Sequence, residues 1–77
     1  MGSLYDMVGE TVTLFGMNYI YTGLLVHVDE RSVELTAAKI VYETGPLDSP
    51  AWHDAQSLPN NWHVAMSAIE SWGILKC

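Results

Sequence analysis

The chain has 77 residues, of which 49% are hydrophobic, and nine acidic residues against three basic ones give a net charge of −6. This length supports one domain that buries roughly 60–65% of the surface of its unfolded chain. The negative charge disfavours strong non-specific binding to nucleic-acid phosphates, so double-stranded DNA is not an expected partner. Cys77 is the lone cysteine, which excludes an internal disulfide and is typical of a cytoplasmic setting.

Several other function classes lack the residues that they need. No signal-peptide pattern or run of ~18 apolar residues occurs, so neither secretion nor a membrane contact is expected. His27, His53 and His63 form no CxxC or HxxxH pattern, which predicts no metal site and no other cofactor. His53-Asp54 is interpreted as a solvated loop feature. Without a nucleophile–base pair, paired carboxylates or a phosphate-binding glycine loop, the sequence predicts no enzyme.

In chain order, the first predicted elements are a short helix over residues 3–9 and a strand over residues 11–15. Ser3 is a typical helix cap, and Gly9 is placed to end the helix. Residues 16–18 then form a hairpin loop, because glycine and asparagine tolerate positive φ.

The clearest local pattern is a β-hairpin with strands over residues 19–29 and 32–43. β-branched and aromatic residues dominate the first strand, and charged residues form the turn. Gly23 inside this strand predicts a sharp bend or the close approach of another backbone. A bulge is predicted at residues 37–38 of the second strand.

Residues 45–61 contain three prolines and predict a long loop, with a helical turn over residues 48–55 as an alternative. Short strands over residues 62–66 and 69–75, joined by a tight corner, complete the chain. A short N-terminal helix followed by five bent antiparallel strands predicts a mostly β fold, a small SH3-like barrel in a single domain over residues 1–77.

Two patterns in these strands are typical of one family. The first is matched by Gly16, Gly23, Leu25, Val28, Asp29, Val33 and Leu35, and the apolar frame of the second by Val64 and Ile69. The chain therefore resembles a Sm-like (LSm) protein of the divergent bacterial or phage type. It departs from the family where an asparagine is usual, near Ser32, and where an Arg-Gly pair is usual, at Ala65-Met66.

The resemblance implies a homo-oligomeric ring of five to seven copies, in which the fourth strand of one copy pairs with the fifth strand of the next. The candidate interface residues are apolar and belong to the last two predicted strands: Trp62, Val64, Met66, Ile69, Trp72 and Ile74. It also implies single-stranded RNA as a ligand at the loops. The candidate RNA-binding residues are His27, Asp29, Ser32 and Ser67.

Some of these residues have simpler interpretations. His27 also suits a half-buried strand position with a hydrogen-bonded neighbour. Tyr19 and Tyr21 either stack on bases or pack across strands. Three tryptophans exceed what one small core holds, so at least one serves an interface or covers the barrel end. The alternative function is a protein-interaction or structural accessory module, for example one encoded by a phage, that binds no RNA.

Overall fold

The chain forms one bent antiparallel sheet of six strands, preceded by a single turn of 3-10 helix. The computed structural model describes residues 3–47, 52 and 54–75. The 3-10 helix is Leu4–Met7. The strands are β1 Thr11–Gly16, β2 Ile20–Val28, β3 Ser32–Glu43, β4 Asp54–Ser57, β5 Trp62–Ala65 and β6 Ile69–Gly73. A second 3-10 turn, Met66–Ala68, forms the corner between β5 and β6.

The long strand β3 organises the sheet. It pairs with β2 along one edge, and along the other its first half pairs with β5 and its second half with β4. The chain then turns through the 3-10 corner, and β6 pairs with β1, which is itself paired with β2. This confirms the predicted mostly β, barrel-like fold, with six strands instead of five.

The extra strand, β4, lies inside the predicted loop over residues 45–61. Its sequence, DAQS, has no alternation of apolar and polar residues, so backbone pairing with β3 is its main support. The Leu58 amide continues this pairing by donating to the Ala38 carbonyl oxygen at 2.8 Å. The alternative helical turn is wrong at Asp54 and Ala55, which are in β4; residues 48–51 and 53 lie outside the described part of the chain.

The hairpin of β2 and β3 bends where Gly23 faces two alanines. The strand register shifts by one residue there, so that Ala37 and Ala38 together oppose Gly23, and Ala37 has a φ of 51°. A Cβ added to Gly23 would lie 3.0 Å from the Ala38 Cα and 3.1 Å from the Thr36 carbonyl oxygen. Both the predicted bulge and the predicted close backbone approach are therefore confirmed.

The turn between β1 and β2 needs Gly16 for a different reason from the one that the sequence suggests. Gly16 does not have a positive φ. A Cβ added there would lie 2.7 Å from the Ala68 carbonyl oxygen and 3.0 Å from that of Tyr19. The 3-10 corner packs so closely on this turn that only glycine fits.

A small apolar core fills the inside of the sheet. Its buried members are Leu4, Val12, Leu14, Leu25, Val28, Val33, Leu35, Ala38 and Val64. The N-terminal segment is tied to this core, since the Gly9 amide donates to the Leu25 carbonyl oxygen at 2.8 Å and the Leu25 amide to that of Glu10 at 2.9 Å. Ser3 caps the 3-10 helix as predicted, with its Oγ accepting from the Tyr5 amide at 3.3 Å. Among the described residues, no helix is long and apolar enough to span a membrane.

Candidate functional site

Three of the four candidate RNA-binding residues meet at the turn between β2 and β3. Asp29 Oδ1 accepts hydrogen bonds from the backbone amides of Arg31 at 2.8 Å and Ser32 at 2.9 Å. His27 Nε2 lies 3.5 Å from Asp29 Oδ2. The two backbone hydrogen bonds, followed by the nearby His27 imidazole, lower the pKa of the Asp29 carboxyl below its usual value. Asp29 thus holds the turn together as an ionised group.

A row of polar side chains crosses three strands beside this turn. Glu34 on β3 faces His27 on β2 and His63 on β5 in the strand register, and directly opposed residues lie on the same face of a sheet. His63 Nε2 lies 3.6 Å from Glu34 Oε1, and Asn61 Nδ2 donates to Glu34 Oε2 at 2.8 Å. The imidazoles are more than half exposed. This row is a solvated network that fastens β5 to β3.

The fourth candidate, Ser67, lies elsewhere. It belongs to the 3-10 corner and lines a cleft of about 380 Å³ together with Tyr19, Tyr21 and the turn between β1 and β2. The structure therefore unites His27, Asp29 and Ser32 and leaves Ser67 out of that group.

Three tyrosines form a second cluster at the β1–β2 end of the sheet. The ring centroid of Tyr19 lies 6.4 Å from that of Tyr21, with an interplanar angle of 62°, and 6.2 Å from that of Tyr42, with an angle of 89°. Tyr19 and Tyr42 are about half exposed, whereas Tyr21 packs against the core. Burial, followed by the neighbouring Tyr19 and Tyr42, raises the pKa of the Tyr21 hydroxyl, which favours its neutral form. We call Tyr19, Tyr21 and Tyr42 the tyrosine cluster.

The candidate interface residues divide into buried and exposed groups. Val64 is 6% exposed and its side chain belongs to the core. Met66 and Ile69 are partly buried against the core. Trp62, Trp72 and Ile74 expose 37%, 40% and 51% of their surface. The exposed apolar surface beside β5 and β6 is thus that of these three side chains.

No group of three or more His, Cys, Asp or Glu side chains within the described ranges could hold a metal ion. His53, from the His53-Asp54 pair, and Cys77 lie outside those ranges. The described residues form two candidate binding surfaces, the polar turn around Asp29 and the tyrosine cluster.

Comparison with known proteins supports the fold alone. No family model and no curated protein matches the sequence. A chain in the crystal structure of the NatC complex bound to CoA is similar, with a TM-score of 0.69 over 99% of this chain and 88% of that one. The two sequences are 18% identical. A likeness at this level shows that the two chains share a fold.

The sequence did not predict that Glu34 contacts His63 and Asn61, or that the three tyrosines lie together. Glu34, His63 and Asn61 are far apart along the chain, and no spacing pattern links them. Tyr42 joins Tyr19 only through the register of β2 and β3, in which Ile20 pairs with Val41. If the register of the predicted hairpin is known, the proximity of Tyr42 to Tyr19 follows from the sequence.

Proposed function

We propose that this protein is a non-enzymatic Sm-like barrel that assembles into a closed ring of five to seven identical copies through the outer edges of β5 and β6. The observation that carries the proposal is the pairing of the strands. In the part of the chain described, β6 pairs with β1 alone and β5 with β3 alone, so each has one edge without a strand. Ring closure satisfies such edges, whereas the same contact without closure grows into a fibre.

The side chains next to these edges favour self-association. Trp62 and Ile74 are exposed there, and large apolar groups beside an open strand edge promote pairing with another chain. The edge of β4 differs in its side chains, because Asp54, Gln56 and Ser57 are polar and exposed. Polar and charged side chains along a strand protect its edge from pairing with another chain. The choice of β5 and β6 over β4 follows from this contrast.

A cytoplasmic setting is part of the proposal. A chain with one cysteine that associates by strand pairing needs no oxidising compartment.

A substitution at the edge tests the proposal. Replacing Ile74 with lysine places a charge in the expected contact, so Ile74→Lys should shift the mass in light scattering from that of a ring toward that of one chain. Val8→Lys is the matched control, because Val8 is also an exposed aliphatic residue, at 48% against 51% for Ile74, and lies after the N-terminal 3-10 helix. Equal masses for the two variants would contradict assembly through this edge. A monomeric wild-type chain would favour the alternative, a module that pairs with a different protein.

Single-stranded RNA is a second candidate ligand, favoured by the meeting of His27, Asp29 and Ser32 at one turn. The ionised Asp29 carboxylate repels phosphates, so a contact there would rest on hydrogen bonds to a base. A titration with short U-rich and A-rich oligonucleotides, followed by tryptophan fluorescence, tests it. A signal that stays flat up to high micromolar RNA would exclude this ligand.

A further inference from the structure

The tyrosine cluster has the geometry of a binding site as well as that of packing. Tyr19 stands between two clefts, one of about 280 Å³ that it lines with Tyr42 and Val41, and one of about 380 Å³ that it lines with Tyr21 and Ser67. Because the Tyr42 and Tyr21 rings are tilted by 89° and 62° from Tyr19, each cleft is bounded by two aromatic rings at a steep angle. The rings are in edge-to-face contact, with centroids 6.2–6.4 Å apart, so a guest group in either cleft would lie against the outside of the ring pair.

The electrostatics of this end of the sheet determine which guest suits it. Glu43 follows Tyr42 in the chain and pairs in register with Asp54, and Glu70 follows Ile69, which pairs with Gly16; these carboxylates are near neighbours of the lining residues and do not line the clefts. Together with the net charge of −6, these carboxylates attract cations and repel phosphates. Aromatic faces also attract cations, most strongly quaternary ammonium and guanidinium groups.

We propose that the tyrosine cluster binds the cationic head group of a partner polypeptide's side chain, a methylated lysine ammonium or an arginine guanidinium. The neutral Tyr21 hydroxyl, the Ser67 hydroxyl and the Asn18 side chain supply polar contacts at the rim of the larger cleft. The site is built within one chain. It therefore stands whether or not the chain forms a ring.

The first test uses the unmodified protein and needs no variant. Tyrosine ring resonances are followed by NMR during titration with the N-acetyl amides of trimethyllysine and of arginine. The uncharged tert-butyl isostere of trimethyllysine is the control ligand. We expect at least one cation to shift the resonances of the tyrosine cluster and to bind roughly tenfold more tightly than the isostere. Equal affinities, or no shift with either cation, would overturn the proposal.

The second test separates the ring of Tyr19 from its hydroxyl group. Tyr19→Phe keeps an aromatic face and should retain the affinity for the better cation within about threefold, whereas Tyr19→Leu should weaken it roughly tenfold. Tyr5→Leu is the matched control, because Tyr5 is exposed to a similar degree and lies on the N-terminal 3-10 helix; it should bind as the wild type does. If Tyr19→Leu does not fold, the comparison of cation and isostere decides alone. Tighter binding of adenosine or uridine monophosphate than of either cation would assign the site to nucleotides and also overturn the proposal.

Discussion

At the scale of single residues, glycine positions give the sharpest test of the packing. Gly16→Ala should lower the free energy of unfolding by about 1–3 kcal/mol, because the new Cβ would lie 2.7 Å from the Ala68 carbonyl oxygen and the 3-10 corner would have to move. Gly73→Ala is the control, since nothing lies within 4 Å of a Cβ there. It should be neutral or stabilising by up to about 1 kcal/mol. Urea denaturation measures the free energy of unfolding of both variants. An equal loss in the two would contradict the close contact between Gly16 and the 3-10 corner.

Asp29 should make stability depend on pH. Its folded pKa is lowered, so the charged form contributes stability that is present above the unfolded pKa and is lost as pH falls through the folded pKa. Asp29→Asn keeps an oxygen that accepts the two amide hydrogen bonds but has no charge. The wild type should therefore be more stable than this variant near neutral pH, and the difference should shrink as pH falls below 3.8, the ordinary value for this carboxyl.

The measurement is denaturant unfolding across the acid range. Glu30→Gln is the control, because Glu30 lies in the same turn and is exposed. A stability difference for Asp29→Asn that does not change with pH would contradict the account of this turn.

At the scale of elements, the bulge in β3 places strain at one position. Ala37 has a φ of 51°, which an alanine adopts at a cost of about 1–2 kcal/mol and a glycine adopts freely. After the entropy that glycine loses on folding, Ala37→Gly should stabilise the protein by up to about 1 kcal/mol. The neighbouring Ala38→Gly should destabilise it, because Ala38 is 1% exposed and packs in the core. Thermal unfolding distinguishes the two, and a loss of stability in both would contradict the strain argument.

The elements also show what could be predicted from the sequence. The strand β3 has the predicted bounds, because β-branched residues fill it and a Gly-Pro pair soon follows it. The strand β4 was missed because DAQS carries no periodic signal and its pairing with β3 is a long-range contact. The last two strands end earlier than predicted. The strand β5 ends at Ala65 because Met66 begins the 3-10 corner, and β6 ends at Gly73, before Ile74.

The part of the candidate site at the turn between β2 and β3 could be predicted from the sequence, because the hairpin itself could be predicted. His27, Asp29 and Ser32 are close in sequence and flank one turn, so their proximity followed from the turn itself. The burial of Val64 could not be predicted from the sequence, because alternation in a four-residue strand does not tell which face is buried. Ser67 lies in the predicted corner between the last two strands, but the packing of that corner against Gly16 could not be predicted from the sequence.

At the scale of the whole molecule, the balance of buried and exposed apolar surface favours association. The core is small, and the described residues expose large apolar side chains on several elements, among them Met17, Tyr42, Trp62 and Ile74. Two of these flank the open edges of β5 and β6, and others lie around the tyrosine cluster. These are the two surfaces for which we propose contacts with copies of the chain and with a basic partner.

Native mass spectrometry of the unmodified chain at micromolar concentration tests the proposed assembly most directly. We expect one closed species of about 43–60 kDa, five to seven times the 8.5 kDa of one chain, whose copy number does not change as the concentration is raised. A species of 8.5 kDa at every concentration, or a ladder of ever larger assemblies, would contradict ring closure through β5 and β6.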